Sequence, residues 1–245
     1  MKVLVISNSF GLDANRYLHQ IGRAAGVTLD VTTLFIGGCP LDRHYRNMLS
    51  DQPAYDLIFN GSHTGFRVSL AETLLSNNQY DIITLQQASP KSPKYNTYQP
   101  YAQELYDYIK TCQPQAKILL HQTWAYGQGS KSLHDRGYET HHAMFADIEK
   151  SYGQCHEDLG TDGIIPSGKL MATLLESGIE TVHRDNVHAS LGLGRYALAL
   201  LWFRMLTGRS VADNTFCDFD EPIPAEEIKI AKTVVDAFTP LDAEK

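Results

Sequence analysis

The chain has 245 residues, of which 43% are hydrophobic and 20% are charged, and its formal net charge is −7. This composition is ordinary for a globular protein, and the length predicts a single domain over residues 1–245 that can bury a core without disulfides or metal. Mild acidity without a basic run argues against a nucleic-acid partner, and no stretch reaches the ~18 apolar residues of a membrane span.

The cysteines and the N-terminus bear on the cellular compartment. The four cysteines are scattered and none is paired as CxxC, so we expect reduced thiols rather than a zinc site or a disulfide framework. They are Cys39, Cys112, Cys155 and Cys217. The apolar run at residues 3–6 is too short for the core of a signal peptide, and we therefore predict a cytoplasmic protein without a membrane partner.

Short apolar runs separated by helical patterns define the predicted fold. The first run, VLVI, is continuous and rich in β-branched residues, which is typical of a strand buried on both faces. The predicted strands cover residues 3–6, 29–36, 82–85, 117–121 and 163–165. This alternation predicts an α/β fold, a three-layer α/β/α flavodoxin-like domain with a mainly parallel five-stranded sheet.

The helices are predicted from apolar spacing and from their end signals. Asp13 is a plausible N-cap for a first helix over residues 14–25, which Gly26 would end. The remaining helices are predicted over residues 68–76, 98–111, 140–159, 169–175, 189–206 and 225–238.

Two sequence features could supply hydrolytic chemistry. Ser9 follows the first strand and precedes the first helix, and ligands of such sheets bind beyond the carboxyl ends of the strands. Asp185 lies three residues before His188, so its carboxylate can fold back onto the imidazole Nδ1–H and leave Nε2 facing a substrate. Taken singly, each has a plainer explanation, a turn serine or a capping aspartate beside a surface histidine.

Five segments together resemble the SGNH, or GDSL-like, hydrolase superfamily, and more closely a bacterial branch described only as a domain of unknown function, DUF4886. The resemblance extends from residue 1 to about residue 208. The segments are ISNSF (6–10), IGGCPL (36–41), DIITLQQAS (81–89), HQTWAY (121–126) and RDNVHASLGLGRY (184–196).

The resemblance implies a serine esterase that acts through a catalytic triad. Ser9 matches the nucleophile, His188 the general base and Asp185 the group that orients the base. The backbone N–H groups of Ser9 and Gly38 match two donors of the oxyanion hole.

The chain departs from the family pattern at two places. Asn8 stands where the family has an aspartate before the nucleophile. Gln86 and Gln87 end the strand where the family has an asparagine that donates to the oxyanion. A glutamine amide can do the same work, and because neighbouring strand residues point to opposite faces, one of the two is expected to do so.

Three further residues are predicted to contact the substrate. Gln122 and Trp124 follow the fourth strand, and Trp124 offers either a stacking face for a sugar or an ordinary core side chain. Arg43 follows the second strand and either contacts a polar or anionic substrate or belongs to a solvated surface.

We expect no cofactor and no metal, because the ten histidines show no tight ligand spacing and a glycine-rich phosphate loop is absent. The expected partner is a small-molecule ester, with an O-acetyl group on a carbohydrate as the preferred substrate, and the oligomeric state is left open. The alternatives are a non-catalytic ligand-binding domain on the same scaffold and a flavodoxin-like nucleotide or phosphate binder.

Overall fold

The computed structural model describes residues 1–241 and is built on one seven-stranded sheet of order β4-β3-β2-β1-β5-β6-β7. The strands are β1 (Lys2–Ser7), β2 (Asp30–Phe35), β3 (Tyr55–Phe59), β4 (Ser62–Val68), β5 (Ile82–Leu85), β6 (Lys117–His121) and β7 (Gly163–Ile165).

Helices cover both faces of this sheet. They are α1 (Ser9–Asn15), α2 (Leu18–Ala24), α3 (Leu41–Ser50), α4 (Leu70–Leu74), α5 (Tyr101–Cys112), α6 (Lys131–His134), α7 (His141–Leu159), α8 (Ser167–Glu176), α9 (Leu193–Thr207) and α10 (Ala225–Asp236). No helix within residues 1–241 is long and apolar enough to cross a membrane.

The parallel part of the sheet positions the site. The strands β2, β1, β5, β6 and β7 are neighbours in that order and run parallel to one another. Among themselves they have the chain order 2-1-3-4-5 of flavodoxin-like sheets, in which the crevice lies between the first and third strands. The predicted α/β/α architecture is confirmed, and all five predicted strands are present.

The predicted strand count was too low, because β3 and β4 form an antiparallel hairpin on the outer side of β2. Most side chains of β4, with the sequence SHTGFRV, are exposed. An edge strand of this kind lacks the apolar run that identifies a buried strand.

The first helix begins five residues earlier than predicted. Asn8, not Asp13, is the N-cap of α1, and its side chain accepts the N–H of Phe10. The helix ends at Asn15, and α2 follows after a two-residue turn at Arg16 and Tyr17.

The predicted helices over residues 189–206 and 225–238 correspond to α9 and α10. The prediction began the apolar helix at residue 189, whereas α9 begins at Leu193 and is capped by Gly208 in a left-handed conformation. Residues 189–192 instead precede the helix, and Ala189 pairs with His183 in an isolated bridge.

Candidate active site

Ser9, His188 and Asp185 form a continuous chain of hydrogen bonds. The Ser9 Oγ lies 2.9 Å from the Nε2 of His188, and the His188 Nδ1 lies 2.8 Å from the Oδ2 of Asp185. Because the ionised carboxylate can only accept, Nδ1 carries the proton and Nε2 accepts the hydroxyl of Ser9. This is the arrangement of a general base poised on a serine nucleophile.

The turn that contains Asp185 and His188 is held by its own backbone. The Oδ1 of Asp185 accepts the N–H groups of Val187, at 3.0 Å, and of His188, at 2.7 Å. Burial alone would raise the pKa of Asp185, but these bonds and the His188 ring outweigh it and lower the pKa to about 2. The carboxylate therefore stays ionised at neutral pH.

Asn186 gives this turn its shape. It has a φ of +64°, in the left-handed region that asparagine tolerates better than most residues. Its carbonyl accepts the N–H of Gly127 at 2.8 Å, which ties the turn to the loop after β6.

Asn8 joins the start of α1 to the loop that contains Gly38 and Cys39. Its Oδ1 accepts the N–H of Phe10 at 3.0 Å and the Nε2–H of Gln86 at 2.8 Å, while its Nδ2 donates to the carbonyl of Cys39 at 3.0 Å. The start of α1 and the loop that contains Gly38 are therefore held by one amide side chain. The departure at Asn8 is visible in the sequence, but the bridge is not, because Cys39 and Gln86 are distant from Asn8 in the chain.

Gly38 is exposed and has a φ of +60°. An added Cβ at this position would meet nothing within 4 Å, so the space beside the backbone is open. Gly38 therefore lies at the accessible surface of the loop after β2.

The structure does not place the amide of Gln86 or Gln87 as an oxyanion donor. Gln87 donates from Nε2 to the carbonyl and hydroxyl of Thr97, at 3.0 and 3.2 Å, so both of its amide hydrogens are used. Its Oε1 accepts the N–H of Leu41 at 3.0 Å. Each side chain is long enough to reach a fixed partner in the interior, which corrects the expectation that one of them faces the substrate.

Gln86 lies in a buried polar chain beneath the site. Its Oε1 is 2.8 Å from the Nδ1 of His121, whose Nε2 is 3.1 Å from the hydroxyl of Ser167. Burial lowers the pKa of His121 to about 3, so the ring is neutral and donates to Gln86. Through Gln86, this chain orients Asn8.

Trp124 is buried and contacts the neighbours of Ser9 and His188 from the interior. The side chain is fully buried, its ring stacks on Phe10 with centroids 4.1 Å apart, and its Nε1–H donates to the carbonyl of Val187 at 2.9 Å. The predicted stacking face for a sugar is therefore covered. Trp124 instead links the residue after Ser9 to the residue before His188.

Gln122 and Arg43 differ in accessibility. Gln122 is buried, and its Oε1 accepts the N–H of Lys169 at the start of α8, so it is not presented to a substrate beside Ser9. Arg43 is exposed in the first turn of α3, close to the Gly38 loop in the chain. Within residues 1–241, no group of three or more His, Cys, Asp or Glu side chains is arranged to hold a metal ion.

The flavodoxin-like fold of this chain is also that of solved proteins described as SGNH and GDSL-like hydrolases. The fold is shared with a proposed SGNH hydrolase from Slackia heliotrinireducens, at 20% identity over 84% of this chain and 98% of that one, with a TM-score of 0.60. A proposed GDSL-like lipase from Parabacteroides merdae has 16% identity, coverage of 84% and 95%, and a TM-score of 0.55.

The chain itself belongs to the DUF4886 family, described as a domain of unknown function, whose family model matches residues 2–238. A crystal structure of a DUF4886 family protein from Bacteroides uniformis is 33% identical, covers 96% of this chain and 93% of its own, and superimposes with a TM-score of 0.88. A search of curated proteins gives no match.

Proposed function

We propose that the protein is a serine esterase that hydrolyses a small carboxylic ester through Ser9, His188 and Asp185. The observation that carries this proposal is the unbroken hydrogen-bond chain from the Ser9 hydroxyl through His188 to Asp185. These hydrogen bonds lie at the carboxyl ends of the parallel strands, where ligands of this fold bind.

The reaction proceeds by two acyl transfers. His188 Nε2 takes the proton of Ser9 as its Oγ attacks the ester carbonyl, and the tetrahedral intermediate collapses to an acyl-enzyme. The protonated His188 gives that proton to the leaving alcohol. His188 then removes a proton from water, which attacks the acyl-enzyme and releases the acid, and the proton returns to Ser9. Asp185 holds the His188 tautomer throughout.

Two backbone N–H groups are proposed to stabilise the oxyanion. Ser9 is the first residue of α1, where amides have no partner within the helix, and Gly38 faces open space on the neighbouring loop. The Asn8 bridge supports this assignment because it holds both segments together. Gln86 acts indirectly, by orienting Asn8.

An ester at the edge of a larger polar molecule suits the exposure of the triad. The side chains of His188 and Asp185 are 29% and 49% exposed, so the reacting groups are not enclosed. We therefore retain the O-acetyl group of a carbohydrate as the proposed substrate, with Arg43 as the exposed cation on the rim that contacts a polar or anionic part of it.

A screen of p-nitrophenyl esters of increasing acyl length tests the proposal. We expect p-nitrophenyl acetate to be hydrolysed in preference to esters of long acyl chains. Ser9→Ala should lower kcat by about 10³-fold or more while the protein remains folded. Hydrolysis that survives Ser9→Ala contradicts the assignment of the nucleophile. Binding of sugar esters without turnover would favour the non-catalytic ligand-binding domain.

A further inference from the structure

A buried aspartate lies one helical turn after Ser9. Residues four apart share a face of a helix, so Asp13 follows Ser9 along the same side of α1. Its side chain is 1% exposed, although an ionised carboxylate is costly to bury without partners. The partners are two arginines from the C-terminal part of the chain, Arg184 and Arg195.

Arg184 connects Asp13 to both ends of the catalytic turn. One guanidinium nitrogen, Nη1, lies 2.9 Å from the Oδ2 of Asp13 and 2.5 Å from the carbonyl oxygen of Ala189. The Arg184 backbone N–H donates to the carbonyl of His188 at 3.0 Å. Arg184 precedes Asp185 and Ala189 follows His188, so this side chain closes the turn and anchors it to α1.

Arg195 of α9 saturates the other carboxylate oxygen. Its Nε and Nη2 both lie 2.8 Å from the Oδ1 of Asp13, while its Nη1 lies 2.6 Å from the Oδ2 of Asp220. With a cation on each oxygen, Asp13 has a single orientation. The fixed carboxylate of Asp13 therefore sets the position of Arg184 relative to α1.

We propose that Asp13 and Arg184 are positioning residues, which hold the Asp185–His188 turn against α1 so that His188 Nε2 reaches the hydroxyl of Ser9. This inference rests on the proposed function, because it assigns these residues a task in the same reaction. Neither residue touches the reacting atoms. A misplacement of about 1 Å in such a base can cost about 100-fold in rate.

The same ion-pair network contains a matched control. Asp220 accepts hydrogen bonds from Arg195 and, at 2.7 Å, from the Nη2 of Arg16, and both of these arginines lie outside the Asp185–His188 turn. Asp220→Asn removes one negative charge from the network and leaves the contacts of Arg184 with Asp13 and Ala189 in place. It therefore reports the structural contribution of the network alone.

Arg184 is the better residue to substitute, because its side chain is 30% exposed whereas Asp13 is enclosed. We expect Arg184→Gln to lower kcat by 10- to 100-fold with KM changed less than threefold. Arg184→Lys should restore most of kcat, because one nitrogen makes both contacts and an ammonium can replace it. Asp220→Asn should keep kcat within twofold, even where urea unfolding shows a comparable loss of stability.

A second readout does not depend on turnover. In the parent protein, Ser9→Ala should change the Nε2 chemical shift of His188 in histidine side-chain NMR spectra, because it removes a hydrogen bond. In the Arg184→Gln background the same substitution should leave the shift unchanged.

The results separate the two proposals. If the parent protein hydrolyses no ester, the proposed function fails while the NMR comparison still decides the positioning role. The positioning role is overturned if Arg184→Gln retains the parental kcat and the parental response of His188 to Ser9→Ala. It is also overturned if Asp220→Asn lowers kcat as much as Arg184→Gln.

Discussion

At the scale of single residues, the candidate site is built from side chains that hold backbone in place as well as from Ser9, His188 and Asp185. Asn8 is the clearest case, with three hydrogen bonds that connect the start of α1, the Gly38 loop and Gln86. An aspartate here would keep the two accepted bonds but would turn an oxygen toward the carbonyl of Cys39. This accounts for an asparagine at a position where the family pattern has an acid.

We predict that Asn8→Asp lowers kcat/KM for a p-nitrophenyl ester about 10-fold and that Asn8→Ala lowers it further, because the Gly38 loop loses its anchor. Asn8→Ala should also reduce the free energy of unfolding by about 1–2 kcal/mol, as measured in urea. Thr140→Ala is the control, since Thr140 caps α7 by accepting the N–H of Ala143. Equal losses of activity in the Asn8 and Thr140 variants would refute the bridging role.

Gly127 lies against the turn that contains Asp185 and His188. A Cβ at this position would stand 2.7 Å from the Oδ1 and 3.2 Å from the Cβ of Asn186. We predict that Gly127→Ala displaces the turn and lowers kcat by about 10-fold, because the displaced Asn186 is two residues from His188. Gly153→Ala is the matched control, because a Cβ there meets nothing within 4 Å, and steady-state kinetics of the two variants should differ accordingly. Parental kcat in Gly127→Ala would argue against a rigid turn.

At the scale of elements, the sequence was informative where burial imposes a pattern. The strands Ile82–Leu85, Lys117–His121 and Gly163–Ile165 were predicted with their observed bounds, because apolar runs between polar ends mark buried parallel strands. The exposed hairpin of β3 and β4 has no such pattern and was missed. The start of α1 was misplaced because Asp13 reads as a cap, whereas its true partners, Arg184 and Arg195, are distant in the chain.

The candidate site could likewise be predicted only where the information is local in the sequence. Ser9 follows a strand and Asp185 and His188 have a suggestive local spacing, both of which a sequence displays, but their roles and that of Gly38 were implied by the resemblance to the SGNH superfamily. The directions of the Gln86 and Gln87 amides and the burial of Trp124 depend on contacts between distant segments. Those contacts are absent from any local pattern, so the predicted substrate roles of these side chains did not agree with the structure.

Trp124 tests how one element supports another. We predict that Trp124→Phe keeps the stack on Phe10 but loses the bond to the Val187 carbonyl, and that kcat falls several-fold while the free energy of unfolding drops by about 1–2 kcal/mol. Kinetics and urea unfolding measure the two effects. Trp202→Phe is a matched control, because Trp202 is equally buried and has no hydrogen-bond partner for its Nε1 among the described residues. If both substitutions change kcat alike, the Trp124 bond has no special role.

At the scale of the whole molecule, buried neutral histidines make stability depend on pH. Burial lowers the pKa of His44 and of His121 to about 3, against about 6.5 in an unfolded chain. Between these values the unfolded chain binds more protons than the folded one. Their contribution to stability is therefore complete above about pH 6.5 and is lost as the pH falls toward 3.

We predict that the free energy of unfolding in urea decreases from pH 7 to pH 5, with a limiting slope of about 1.4 kcal/mol per pH unit for each such histidine. His44→Phe should flatten this dependence, whereas His63→Asn should not, because His63 is exposed on β4. A constant free energy of unfolding over this range would contradict the neutral state of these rings.

The central claim is that Ser9 is a nucleophile activated by His188, and covalent labelling tests it most directly. The folded protein is treated with a fluorophosphonate, and the adduct is counted by intact mass and located by peptide mapping. We predict one adduct, on Ser9, that is absent in Ser9→Ala and forms far more slowly in His188→Ala. The absence of an adduct on the folded protein, or an adduct that persists in Ser9→Ala, would contradict the account.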